Sequence, residues 1–177
     1  DLEVLNKSNT EFIKLDFSIW EVWINIKKKG VLCHGHNDNG QVVIFKQGKP
    51  VLVDIGRSRY SEHIKSDIGN QLDPSFHNTP RLESCPVEYH KSQGIAEFLA
   101  TKAVINSRSE NSLIFDIVYY SGKIVRREIS VDQSKGVKIV DRLMKGDSSE
   151  ILISTWHFAT SVVIKTNLDS ANLFEFK

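Results

Sequence analysis

The sequence predicts an all-β, antiparallel sandwich with little helix, on three observations. Short runs rich in Val, Ile, Phe and Tyr recur along the chain. The segments between several of them are turns of a few residues, of the kind that join antiparallel neighbours. No stretch of a dozen residues holds a convincing 3.6-residue apolar period. With 177 residues, 40% of them hydrophobic, the chain is long enough for one domain with a substantial buried core, so 1–177 reads as a single β-sandwich domain.

Strands are predicted at 17–26, 41–45, 50–54, 112–120, 123–131, 136–143 and 151–157. Turn chemistry punctuates them at Gln47-Gly48-Lys49-Pro50, Ser121-Gly122-Lys123 and Lys145-Gly146-Asp147-Ser148. Residues 93–104 come nearest to a helical pattern, but Gly94 and the β-branched residues suit a strand equally, and strand is the assignment. From Arg57 to Cys85 the chain turns polar, with Gly69, Asn70, Pro74 and Pro80, and reads as a long loop excursion rather than core; loops of this length are often functional. There is no internal repeat and no low-complexity tract.

Charge and composition exclude some roles. Twenty-three Lys and Arg against 22 Asp and Glu leave a formal charge of +1, so no global field recruits nucleic acid or an acidic membrane, and an acidic ligand must be held locally. The longest apolar runs fall far short of the ~20 residues that cross a bilayer. Cys33 and Cys85 are too few for a disulfide framework and form no CxxC spacing. The chain opens at Asp1 without an initiator Met, a basic start or an apolar leader, and is expected to be a piece of a longer protein.

The densest cluster of potential ligands is His34-Gly35-His36-Asn37-Asp38, just before a predicted strand. In extended backbone, alternate residues share a face, so His34 and His36 point the same way. The hairpin across Gln47 to Pro50 can return Asp54 to the side of His36, and His77 lies beyond the polar excursion. Two neutral imidazoles and a carboxylate, with water as fourth ligand, suit a tetrahedral zinc ion, which makes His36, Asp54 and His77 a candidate set and leaves His34 for other work. A lone histidine more often caps or hydrogen-bonds something local, and an HxH by itself is a weak signal.

The ordered blocks His34-Gly35-His36-Asn37-Asp38, Gly48-Lys49-Pro50-Val51-Leu52-Val53-Asp54-Ile55-Gly56 and His77-Asn78-Thr79 resemble the signature region of the heparinase II/III-like polysaccharide lyases. Arg126-Arg127-Glu128-Ile129, Val140-Asp141-Arg142 and His157-Phe158-Ala159 are similar to the same family's β-sandwich. The resemblance implies an N-terminal helical toroid joined to a C-terminal antiparallel sandwich, cleavage of uronate-containing polysaccharides by β-elimination, and a periplasmic or secreted location. It implies zinc on His36, Asp54 and His77, and a cleft-facing His34. A tyrosine after the Asp block aids catalysis in some relatives, and Tyr60 is the nearby candidate. Many members carry an Arg-Ser-Thr-like run ahead of the His-Asn pair, where this chain has Leu72-Asp73-Pro74-Ser75-Phe76.

β-Elimination needs the uronate carboxylate neutralised, a base for the C5 proton and an acid for the leaving oxygen. His34 suits the base or the carboxylate partner, and a tyrosine suits proton transfer to the leaving group. The resemblance places the rest of the set on the toroid, so the isolated fragment is expected to be inactive, with zinc mainly pinning residues 57–85 to the sheet.

Two other readings compete. A cupin-like metal oxygenase or isomerase would use His34, His36, Gln41 and Gly48, but Gln41 stands where a metal-binding glutamate belongs, and Pro74 with His77 only faintly echoes the second motif. A non-catalytic, carbohydrate-associated sandwich would show a row of exposed aromatics. Trp20 and Trp23, three apart, fall on opposite faces as core and rim; Trp156 reads as packing, and Tyr119-Tyr120 as straddling core and solvent. His63 and His90 read as solvated, Lys27-Lys28-Lys29 as a charged turn, and Cys33 as a packed thiol. Asp38 either shares the face of His34 and His36 or caps the turn at Asn39-Gly40.

Overall fold

Residues 10–28, 38–55, 74–84, 101–159 and 173–176 are described by the computed structural model. Strict period-two burial marks its clearest strands, with Leu113, Phe115 and Ile117 of one and Val125, Ile129 and Val131 of the other on the inward phase. In chain order the strands are β1 (Thr10–Phe17), β2 (Trp20–Lys27), β3 (Val42–Lys46), β4 (Lys49–Leu52), β5 (Pro80–Leu82), β6 (Lys102–Arg108), β7 (Ser112–Val118), β8 (Ile124–Asp132), β9 (Gly136–Lys145), β10 (Leu152–Ser154) and β11 (Leu173–Phe176). The only helical element among the described residues is a single 3₁₀ turn at Pro74–Phe76.

All strand pairs are antiparallel. A four-stranded sheet runs β1-β2-β3-β4, a five-stranded sheet runs β11-β9-β8-β7-β6, and β10 pairs with β5 alone. After β10 the chain runs back along β4: Val53 N–H donates to the His157 carbonyl at 2.9 Å, Ala159 N–H to that of Val51 at 3.0 Å, and Leu52 bridges Phe158. One apolar core lies between the sheets. Leu15, Val22, Ile24, Ile44 and Leu52 from one side join Leu113, Phe115, Ile117, Val125, Ile129 and Ile139 from the other.

The predicted sandwich is therefore the fold, with corrections in detail. The segment 17–26 is not one strand: β1 and β2 meet at Ser18-Ile19, with Phe17 opposite Trp20 and Ser18 at φ 62°. That turn contains no Gly, Pro, Asn or Asp, so the sequence offered no breaker. Gln47 and Gly48, at φ 50° and 73°, form the two-residue hairpin turn between β3 and β4, for which left-handed backbone suits glycine. Of the predicted 57–85 excursion, residues 57–73 and 85 lie outside the described residues; the described part, 74–84, enters the core in β5, with Leu82 buried and Pro80 at the strand's first position, where a missing N–H is tolerated. Of 93–104, the described part beyond Thr101 belongs to β6, and the predicted 151–157 strand stops at Ser154.

Candidate functional site

The β3–β4 hairpin aligns Leu52 with Ile44 and carries the chain on to Asp54. Beyond the 3₁₀ turn, His77, Asn78 and Thr79 pass through the interior, all three buried. His77 Nδ1 lies 2.8 Å from Asp54 Oδ1, with the imidazole fully covered and the carboxylate 27% exposed. An ionised carboxylate only accepts, so in this arrangement Nδ1–H donates to it. Two of the three predicted ligands, 23 residues apart, are thus in direct contact at the sheet margin. His36, His34 and Tyr60 lie outside the described residues, as do Cys33, Cys85, His63 and His90. Among the described residues, no three His, Cys, Asp or Glu side chains come together as a metal cluster.

Asn78 fixes the pair from behind. Its Nδ2 donates to the carbonyls of Val42 at 2.9 Å and Val53 at 2.8 Å, and its Oδ1 accepts His157 N–H at 2.7 Å. One buried amide therefore ties β3, the residue before Asp54 and the returning strand to the residue after His77. His157 Nε2 donates to the Ser75 carbonyl at 3.0 Å and so steadies the turn that delivers His77.

The tail of the histidine-rich block is anchored equally firmly. Thr79 Oγ1 donates to the Asn39 carbonyl at 2.5 Å. The Asn39 side chain accepts Lys27 N–H at 2.9 Å and donates to the carbonyls of Lys27 and Thr101. Asp38 accepts Asn25 Nδ2 at 2.8 Å and forms an ion pair with Lys27 Nζ. Asp38 is thus held by β2. Lys27 is no part of a charged turn either: it is the buried last residue of β2.

Arg127 completes the network. Its guanidinium is wholly buried and forks onto Asp141, Nε to Oδ1 and Nη2 to Oδ2, both at 2.7 Å. Nη1 donates to the carbonyls of Gly40 and Asn78, each at 2.8 Å. Ser154 Oγ donates to Asp141 Oδ2 at 2.6 Å, and the guanidinium sits 5.0 Å from the Trp156 ring centroid. Two parallel charge-assisted bonds are among the strongest polar contacts a protein makes.

Sequence reasoning missed Asn78, Arg127, Asp141 and Ser154 as parts of the site. A signal was present. Arg127 falls in phase with the inward residues Val125, Ile129 and Val131 of β8, and register sets it opposite Asp141 of β9. Opposite charges on the inward phase of two neighbouring strands announce a buried pair. Other readings stand where they fell: Trp20 is core and Trp23 is 40% exposed with Lys14 Nζ 5.3 Å from its ring centroid; Tyr119 is buried and Tyr120 exposed. Gly48, which a cupin reading would need, is a hairpin residue. No helix among the described residues is long and apolar enough to cross a membrane.

Comparison with known proteins identifies the setting. The family model described as Heparinase II/III-like, C-terminal, matches residues 24–175. Heparan sulfate lyase HepC from Pedobacter heparinus superposes with a TM-score of 0.62 at 19% identity, over 88% of this chain and 24% of that one, and a HepC mutant does so at 0.61. A heparinase III, the BT4657 gene product, superposes at 0.51 with 17% identity, over 76% of this chain and 20% of its own. At such identities the likeness concerns the fold, and the chain spans about a quarter of the HepC structures. No curated protein sequence matches the chain. Most of the chain is matched by the family model, and the solved lyases share its sandwich: the chain belongs to the heparinase II/III-like family, as a C-terminal domain.

Proposed function

We propose that this chain is the zinc-binding C-terminal module of a polysaccharide lyase that cleaves a uronate-containing, acidic glycan by β-elimination, in the periplasm or outside the cell. The observation that carries the reading is the contact between Asp54 Oδ1 and His77 Nδ1, which brings an oxygen and a nitrogen donor together from either side of the segment 55–76. Such a mixed set fits zinc, which would take the place of the Nδ1 proton on its release, and His36 supplies the third donor. When bound, zinc ties that segment to the sheet and lowers the freedom of the residues around it.

In this reading His34 faces the substrate as base or carboxylate partner, and Tyr60 passes a proton to the leaving oxygen. Asn78 and His157 hold His77 in place, so that its ring needs little reorganisation to take a metal. The remaining catalytic groups come from an N-terminal helical toroid, and the chain without it is inactive.

Metal content by mass spectrometry tests the zinc. Purified chain without added metal should hold about one zinc, and the variants His36→Ala and Asp54→Ala should hold none. Iron or manganese in its place, or zinc retained by both variants, would overturn the assignment. The reaction is tested on the full-length protein and on this chain separately, with uronate polymers and the ultraviolet absorbance of the unsaturated product. Activity from the chain alone would refute the dependence on the toroid, and no activity from the full-length protein on any uronate polymer would refute the reaction.

A further inference from the structure

We infer that Arg127 is a positioning residue for the site: one buried guanidinium nitrogen holds the backbone that follows the histidine-rich block and the backbone that follows His77 in fixed relation. The two carbonyls it joins are well chosen for that task. Asn78 is the residue after His77, and Gly40 lies two residues beyond Asp38, where the block that begins at His34 ends. Nη1 donates to both at 2.8 Å, while Nε and Nη2 are committed to Asp141, so the fork cannot turn away. Ser154 and Trp156 brace the same ion pair from β10 and the residues after it.

The fold alone does not call for this arrangement. The neighbouring inward positions of β8 are Val125, Ile129 and Val131, and an apolar residue at 127 would continue that row. A buried ion pair regains its desolvation cost only with excellent geometry, and apolar replacements of such pairs are often neutral or stabilising. What an apolar side chain lacks is a donor for two carbonyls from separate segments. Lysine lacks the planar fork that serves a carboxylate and two carbonyls together.

The inference rests on the zinc reading only for what the two blocks bind; the tie between them is tested without metal. The variants are Arg127→Met with Asp141→Leu, which removes both charges together, and Arg127→Lys, which keeps the charge. Amide hydrogen exchange on the metal-free chain should quicken at least about tenfold at Gly40, Gln41 and His157, whose N–H groups bond Asn25, Asp38 and Asn78, while Leu113 and Ile129 in the core hold steady. Unchanged exchange at Gly40 and His157, or equal acceleration at core and site, would overturn the inference. Should the double variant fail to fold, Arg127→Lys is read by the same amides.

Cobalt titration, followed by its visible absorption bands, supplies the second readout. Both variants should bind cobalt about 10–100-fold more weakly than wild type with altered bands, as loss of a metal site's outer support does. Wild-type affinity and bands in both variants would refute the role. A wild-type chain that takes no cobalt or zinc would sink the zinc reading instead, and the exchange rates would then decide the role of Arg127.

Discussion

Replacing Gly40 by alanine probes how tightly the site's anchor is packed. Gly40 has φ +78°, and a Cβ there would lie 2.8 Å from Ile117 Cδ1 and 2.9 Å from Phe115 Cε2. The Ile117 methyl can rotate away, whereas the Phe115 ring edge is rigid and fully buried. The left-handed backbone costs an alanine about 1–2 kcal/mol, and forcing a methyl into the core adds about 1–3 kcal/mol. Gly122 provides a matched control, with the same φ of +78° and nothing within 4 Å of its Cβ. Gly122→Ala should therefore show only the first cost and Gly40→Ala both. At about 2–4 °C per kcal/mol for a domain of this size, Gly40→Ala should melt roughly 4–20 °C below wild type and Gly122→Ala roughly 2–8 °C below. Urea unfolding gives the free energies directly. Equal losses in the two variants would show that the contact with Phe115 carries no strain and that the steric argument is wrong.

Three further outcomes are expected. Asn78→Ala leaves Val42 O, Val53 O and His157 N without the partner each has now, at about 1–3 kcal/mol per orphaned group before relaxation; a loss under about 1 kcal/mol by urea unfolding would refute its role as the clasp. Lys123 and then Ser84 hold the Glu150 carboxyl at about 2 rather than 4.5, so its contribution is present above 4.5 and fades as pH falls toward 2. Acid unfolding of Glu150→Gln should lack that component, and superposable acid curves for variant and wild type would count against it. Zinc at a hundredfold excess over its Kd should stabilise the chain by about 2.7 kcal/mol, an increment that a chelator abolishes; melting curves indifferent to chelator would argue against a structural metal.

The architecture was legible in the sequence because period-two alternation and glycine turns are local properties. The strands around Gly122 and the hairpin at Gln47-Gly48 lie close to their predicted places. What failed was also local: Ser18-Ile19 turns the chain without a glycine, proline, asparagine or aspartate, and Pro80–Leu82 is too short to show a period. Within the site, Asp54 and His77, whose side chains are in contact, were singled out together by the family resemblance rather than by any local pattern. Asn78 was not, since the groups it satisfies are backbone carbonyls and an amide of Val42, Val53 and His157. A partner that is backbone leaves no mark on residue type.

That last feature says how the site is held. Thr79, Asn78 and Arg127 each grip main-chain atoms: the Asn39 carbonyl, the carbonyls of Val42 and Val53, and the carbonyls of Gly40 and Asn78. Bonds to backbone fix where a segment runs without constraining the side chains it displays. Each gripping group is itself buried, so the bonds are poorly exposed to competition from water, and their loss would strand polar atoms in the core. The segments that carry His77 and the tail of the histidine-rich block are therefore positioned by residues other than those that would meet metal or substrate. Asp54→Ala should then alter binding at the cost of the single hydrogen bond it accepts from buried His77, about 1–3 kcal/mol, whereas Asn78→Ala, which takes the present partner from three groups, should alter binding and cost more. A variant series that separates along that line would support the division of labour, and one in which Asp54→Ala destabilises the metal-free chain as much as Asn78→Ala would contradict it.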